Sequence, residues 1–260
     1  EILGSRMRKG AAGSSRGVLR FIGELLATIG RAGVTGQVTV RADSAFWSWK
    51  LIDKLNKAGV GWSITVRLVT KVNNTIAAIP EADWVTIDYT RSGHAQVAET
   101  IYTTGTGKRA RHVRLVVRRT RLADTAQAAM WPTWRHHAFI CNNTLTTVEA
   151  DRFHRNHAVV ELAIRELKDN GLEHCPSGSF PANGAWLACA VAAHNLTRWA
   201  GIIGLDGPIR TARTIRNRLI ALAGVLVNNS GTPTLRLPTD WPWAHQFHAA
   251  LAAIRAIPNA

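Results

Sequence analysis

A chain of 260 residues, 46% of them hydrophobic, can bury one large core or one core with a smaller satellite, and it is not a disordered composition. Its 32 Lys+Arg against 17 Asp+Glu leave a net charge of +15, so polyanions are the expected partners, nucleic acid ahead of an anionic membrane. Cys141, Cys175 and Cys189 are widely spaced with no C-x-x-C, which gives no disulfide framework or cysteine zinc site and fits a reducing cytoplasm.

Arg6, Arg8 and Lys9 are not followed by the apolar run of a secretory signal. In chain order, Glu1–Arg8 reads as a short strand, and Ser14 or Ser15 as the cap of a helix reaching about Arg31, with Leu19, Ile22, Leu26 and Ile29 on one face. Val38–Ala42 is rich in β-branched residues and reads as a strand, with Thr39, Arg41 and Asp43 on one face. A helix over Trp47–Ala58 and a strand over Trp62–Leu68 complete a strand–helix–strand unit of the α/β kind.

The pattern then changes. After a helix ending at Ile79-Pro80, the stretches Trp84–Tyr89, Gln96–Thr103, His112–Thr120 and His137–Asn142 read as short strands parted by turns such as Arg91-Ser92-Gly93 and Gly105-Thr106-Gly107. Helical periodicity returns at Thr147–Asn170, Asn183–Gly201, Ile209–Val227 and Trp243–Ile257, with a turn at Asn228–Thr232 and an extended piece at Leu235–Leu237. The apolar stretch Ala185–Ile203 contains His194, Asn195 and Arg198 and reads as a buried helix rather than a membrane span.

Two carboxylates stand out. Asp43 closes a strand just before a helix, the end at which ligands gather in open α/β sheets. It is either a metal or substrate ligand or a turn residue, with Ser44 the more natural helix cap. Glu161 lies on the helix expected over Thr147–Asn170, where His154, His157, Arg165 and Lys168 fall within about 40° of it around the axis. The plain alternative is a solvated helix face with a Glu161–Arg165 ion pair. His154 and His157 share a face, but without a third and fourth ligand they do not make a zinc site. No Walker loop and no G-x-S-x-G is present.

Three stretches together resemble bacterial insertion-sequence transposases of the DDE class. Val38-Thr39-Val40-Arg41-Ala42-Asp43-Ser44-Ala45-Phe46 resembles the strand ending in the second catalytic Asp. Glu161 followed by Lys168 resembles the E-x6-K half of the signature helix. Pro176-Ser-Gly-Ser-Phe-Pro-Ala-Asn183, leading to Ala193-His194-Asn195-Leu196, is similar to the helix that follows in one insertion-sequence branch. In the broader superfamily a Tyr and an Arg precede the Glu by seven and four residues; here those places hold His154 and His157.

The resemblance implies an incomplete RNase H-like, retroviral-integrase-like core (1–68 and 147–203), a β-rich insertion (69–146) and a mostly helical C-terminal region (204–260). It implies a DNA transposase with Mg²⁺ or Mn²⁺ as cofactor and Asp43 and Glu161 as catalytic metal ligands. Arg165, Lys168, His154 and His157 are then the residues for DNA phosphates. Terminal-repeat and target DNA would be the partners, with a homodimer on paired ends, no membrane, and a cytoplasmic, nucleoid-associated location. The first catalytic Asp of this fold has no counterpart here, because only Glu1 and Glu24 precede Asp43 among the acidic residues. The expectation is therefore a truncated chain, inactive alone. The rivals are a catalytically dead DNA-binding remnant and another RNase H-like nuclease.

Overall fold

The computed structural model describes residues 1–13, 15–90, 93–121, 134–156, 158–208 and 210–258; Ser14, the Arg91-Ser92 turn, His157 and Ile209 lie outside the described residues. The first of two units, Ala11–Ala158, is built on one mixed sheet. Helix α1 (Val18–Arg31) leads to strand β1 (Thr39–Ala42), helix α2 (Trp49–Lys57) and strand β2 (Gly61–Thr65), and β1 and β2 pair in parallel. Parallel pairing needs a crossover, which α2 supplies. Ser48 caps α2 by accepting from the Leu51 amide at 3.3 Å, and Leu51, Ile52 and Leu55 form its buried stripe. Gly59, at φ 65°, returns the chain from α2 toward β2.

Helix α3 (Thr70–Ala77) is followed by β3 (Val85–Thr90), β4 (Gly93–Thr104), β5 (Arg111–Arg121) and β6 (Trp134–Cys141). These pair antiparallel in sequence order, and β6 then pairs antiparallel with β2, giving the order β1-β2-β6-β5-β4-β3. The four later strands therefore continue the sheet that β1 and β2 begin.

The sheet has two buried faces. On one, Trp62, Ile64, Leu115, Val117 and Ile140 meet α2 residues Leu51 and Leu55 and α3 residues Val72 and Ile76, with α1 packed alongside through Ile22. On the other, Val116, Phe139 and Cys141 meet Ala150 of helix α4 (Thr147–Arg155), and Ile87, Ala95 and Val97 meet Val148. Registers such as Ile64↔Ile140 and Leu115↔Ile140 bring apolar residues level, as period-two alternation requires. Thr146 and Glu149 form a capping box that starts α4.

The second unit, Glu1–Gly10 with Val159–Ala260, is mainly helical. It holds α5 (Ala158–Leu167), a π turn over Lys168–Leu172, α6 (Phe180–Gly204), the short α7 (Ala212–Ile215), the hairpin β7 (Val225–Asn229) and β8 (Thr232–Arg236), and α8 (Ala244–Arg255). Two glycines of α6 permit close packing: a Cβ on Gly201 would lie 2.4 Å from Ile215 Cδ1, and one on Gly204 2.4 Å from Ala250 Cβ.

Three expectations are corrected. Glu1–Arg8 is not a strand; Asn195 of α6 takes its place as a partner, accepting from the Ile2 amide at 2.8 Å and donating to the Ile2 carbonyl at 2.9 Å. The helix expected over Ile209–Val227 ends in a π turn at Arg216–Ile220, after which the chain becomes β7. The helix expected over Thr147–Asn170 is two helices, α4 and α5, with Asn156 (φ −62°, ψ 0°) leaving helical geometry between them. Asn favours such ends because its amide competes for nearby backbone groups.

Candidate active site

Strand β1 carries Arg41 toward α4. Its guanidinium donates to the Phe153 carbonyl at 2.6 Å and lies 5.0 Å from the Phe153 ring centroid. Two residues on, at the carboxyl end of the strand, Asp43 is exposed and accepts from the Ser44 amide, so it caps the 3-10 turn Ser44–Phe46 while Ser48 caps α2. The capping role expected of Ser44 thus falls to Asp43 and Ser48. One carboxylate oxygen of Asp43 bonds this turn, and the group faces solvent.

Where α4 packs on β2, β5 and β6, buried polar groups lie beside the apolar contacts. Asp151 of α4 is 0% exposed and takes two guanidinium groups, Arg118 at 2.7 Å and Arg155 at 2.8 Å. Both guanidinium groups also lie over the Tyr89 ring, at 5.1 Å and 5.5 Å. The two cations offset the cost of taking the Asp151 carboxylate out of water, and removal of either partner would leave that cost uncompensated.

His154, 5% exposed, stacks on Phe139 with ring centroids 4.0 Å apart. Its Nδ1 is 2.6 Å from the Ser63 hydroxyl and its Nε2 is 3.1 Å from the Thr65 hydroxyl. A serine hydrogen-bonded to a histidine suggests a hydrolytic nucleophile, but Ser63 is 0% exposed, so no substrate reaches it. With both ring nitrogens engaged and the ring buried, His154 has no nitrogen turned to a phosphate. Because α4 ends at Asn156, His154 and Glu161 do not share a helix face, and the angular argument that grouped them fails.

His137 of β6 sits beside this cluster, its ring centroid 5.7 Å from that of His154. Burial lowers its pKa below the ordinary imidazole value, Arg118 lowers it further, and the charges of Asp151 and Asp43 pull the other way. Burial also pushes the Cys141 thiol up, so a thiolate nucleophile is disfavoured there.

In the second unit Glu161, Arg165 and Lys168 are exposed. Among the described residues none of the three side chains takes part in a hydrogen bond or ion pair, so the Glu161–Arg165 pair is not formed. The α5 carboxylate that α6 engages is Glu166, which lies 3.8 Å from His194 Nδ1 and 3.8 Å from Arg198. The oxygen that faces Arg198, Oε1, also accepts from the Ala212 amide at 3.4 Å. The residues His194, Asn195 and Arg198 of α6 are thereby accounted for as packing and tethering groups. His157 lies outside the described residues.

A family model described as transposase DDE domain group 1 matches residues 1–259. The chain belongs to that family. The family is one of transposases, so DNA is the partner it implies, and its members generally depend on a divalent metal. No curated protein matches the sequence. No helix among the described residues of this DDE domain is long and apolar enough to cross a membrane.

The donors fit a hard divalent ion in kind. Asp43 and Glu161 are exposed carboxylates, and oxygen donors suit Mg²⁺ and Mn²⁺. Among the described residues no group of three or more His, Cys, Asp or Glu side chains gathers at one point. Sequence reasoning missed Asp151; the spacing of Asp151 and Arg155 on one helix was visible, but the Arg118 pairing across the sheet was not.

Proposed function

We propose that this chain carries part of the site of a cut-and-paste transposase that cleaves and rejoins DNA at insertion-sequence ends, with Asp43 and Glu161 as divalent-metal ligands. The observation that carries the reading is the exposed Asp43 carboxylate at the carboxyl end of a parallel-paired strand, where open α/β sheets place their ligands. Glu161 joins it through the E-x6-K spacing to Lys168. In this reading β1, α2 and β2 belong to an RNase H-like core (1–68 with 147–203), and the β-rich insertion (69–146) returns to β2 through β6. Residues 204–260 form the C-terminal region, and two copies act on paired ends.

A bound Mg²⁺ or Mn²⁺ supplies Lewis-acid activation of the attacking oxygen and charge stabilisation of the leaving one. The chain's own residues hold and orient. Asp43 and Glu161 supply oxygen donors, Arg165 and Lys168 take phosphates along α5 and the turn after it, and Arg41 fixes the strand that carries Asp43 by its bond to α4.

Two carboxylates are fewer than the three of the family's signature. Glu24 is on α1, paired with Arg20 at 2.9 Å, and Glu1 accepts from Trp199 Nε1, so neither stands on a strand. These 260 residues are therefore expected to bind metal weakly and to leave DNA uncut. Incubation with supercoiled plasmid and Mg²⁺ or Mn²⁺ tests this. Intact plasmid is the expected result, and nicking abolished by Asp43→Ala overturns the two-ligand reading.

The placement of Glu1 and Glu24 also favours a second reading, a remnant that binds DNA without catalysis. A steep salt dependence of DNA affinity with no metal effect and no effect of Glu161→Ala supports that reading over the first.

A further inference from the structure

The strands of the hairpin β7–β8 pair with each other and, among the described residues, with no other strand. Its registers put Leu226 opposite Leu235 and Asn228 opposite Pro233 on one face. That face is open, with Leu226 72% and Leu235 57% exposed. We propose that the hairpin is a minor-groove arm for double-stranded DNA, with the Leu226–Leu235 pair and Pro233 as an apolar wedge against a base step and Arg236 on a flanking phosphate. The proposal rests on the reading of the chain as a DNA-acting protein.

A two-stranded ribbon is marginal in water, and an apolar pair exposed on it favours a covering partner. The charge around it decides which partner. From 207 to 239 the sequence contains Arg210, Arg213, Arg216, Arg218 and Arg236 and no Asp or Glu. Arg213 of α7 and Arg216 of the π turn that leads to the hairpin are exposed, as is Arg236 at the end of β8. Such a surface attracts a polyanion and repels the same surface of a second copy. Pro233 has no amide hydrogen and so blunts β8 against a further strand, which disfavours extension of the ribbon by another chain.

The turn and the side chains favour the minor groove. Ser230 (φ 52°) and Gly231 (φ 85°) form a two-residue turn with both residues left-handed, which keeps the tip of the ribbon narrow. Asn228, Asn229 and Thr232 stand exposed beside it. Their amides and hydroxyl can donate to the acceptor edges that A·T pairs present in the minor groove. Leucine and proline are side chains that unstack a base step there and kink the duplex. A ribbon lying in the major groove reads base edges through polar side chains, whereas the open face here is led by two leucines.

The test uses the full chain and an A·T-rich duplex with a donor dye at one end and an acceptor dye at the other. Energy transfer reports bending, anisotropy reports affinity, and distamycin competes for the minor groove. Leu226→Ser with Leu235→Ser removes the wedge, Leu226→Met with Leu235→Met keeps an apolar one, and Arg236→Ala removes the cation. Binding that raises energy transfer and is displaced by distamycin is expected. The serine pair should lose the bend and about 5-fold or more in affinity, while the methionine pair keeps both. Arg236→Ala should lower the salt slope by about one. DNA binding that resists distamycin, that leaves the duplex straight, or that the serine and methionine pairs affect alike overturns the hairpin assignment alone. A dimer in sedimentation velocity without DNA that the serine pair dissociates places a second copy on this face and overturns it as well. Failure to bind any duplex overturns the DNA-acting reading with it.

Discussion

The Ser63 hydroxyl of β2 and the His154 imidazole of α4 are joined at 2.6 Å inside the protein, where both residues are buried. A group this enclosed contributes to stability rather than to ligand contact. His154→Ala leaves the buried Ser63 hydroxyl without its partner, at a cost of about 1–3 kcal/mol. Urea denaturation measures that loss. The same variant, measured below its unfolding range, is expected to keep the wild-type salt dependence of DNA affinity. A salt slope reduced by about one would instead assign His154 a phosphate contact.

Asp151 is a more severe test of the same interface. Its carboxylate is 0% exposed between Arg118, itself 8% exposed, and Arg155. Asp151→Ala leaves a buried guanidinium uncompensated and is expected to cost about 3–5 kcal/mol, read from the urea midpoint. The double variant Asp151→Ala with Arg118→Met is expected to be less destabilised than the sum of the two single changes, because the uncompensated charge is gone.

Acid should loosen this protein in two stages. His136, His137 and His194 all have pKa values lowered below 6.5, by burial first, then by Arg119 for His136 and Arg118 for His137. A histidine whose folded pKa is depressed binds fewer protons folded than unfolded, so its contribution is full above about 6.5 and is lost as pH falls through the folded value. Glu81, Glu99 and Glu149 are held below 4.5 by their Arg119, Thr147 and Thr146 partners respectively, against the desolvation that leads at Glu99, and their contribution is lost only at still lower pH. Melting temperature followed from pH 7.5 to 4 should fall first below about 6.5 and again below about 4.5. His137→Gln should flatten the first step.

On α5 and the turn after it, the exposed heads of Arg165 and Lys168 carry the proposed phosphate contacts. Each removed contact should lower the slope of log affinity against log salt by about one and weaken binding to all DNA sequences alike. Arg165→Ala and Lys168→Ala with unchanged slopes would place the DNA elsewhere.

Local pattern revealed the unit from β1 to β2, and the reasons are local ones. Val38, Thr39 and Val40 favour a strand, Ser48 caps the next helix, and Gly59 turns the chain back. The pairing of β6 with β2 joins Ser63 to Cys141, residues far apart in sequence, and no spacing along the chain encodes it. The break at Asn156 was hidden for a different reason. Apolar periodicity runs through Phe153, Val160, Ile164 and Leu167 as if one helix continued, and only the backbone shows that α4 ends. Asp43 and Glu161 were legible as candidates from strand-end placement and from the spacing to Lys168. The burial of His154 was not, because periodicity gives a side chain's direction around a helix but not what covers it.

Metal binding bears most directly on the claim that Asp43 and Glu161 are divalent-metal ligands. Titration of the chain with Mn²⁺, followed by the loss of the free-ion electron paramagnetic resonance signal, should give weak binding that falls about tenfold or more in Asp43→Ala and in Glu161→Ala, with competition by Mg²⁺. Mn²⁺ binding that is absent, or unchanged by both substitutions, would contradict it.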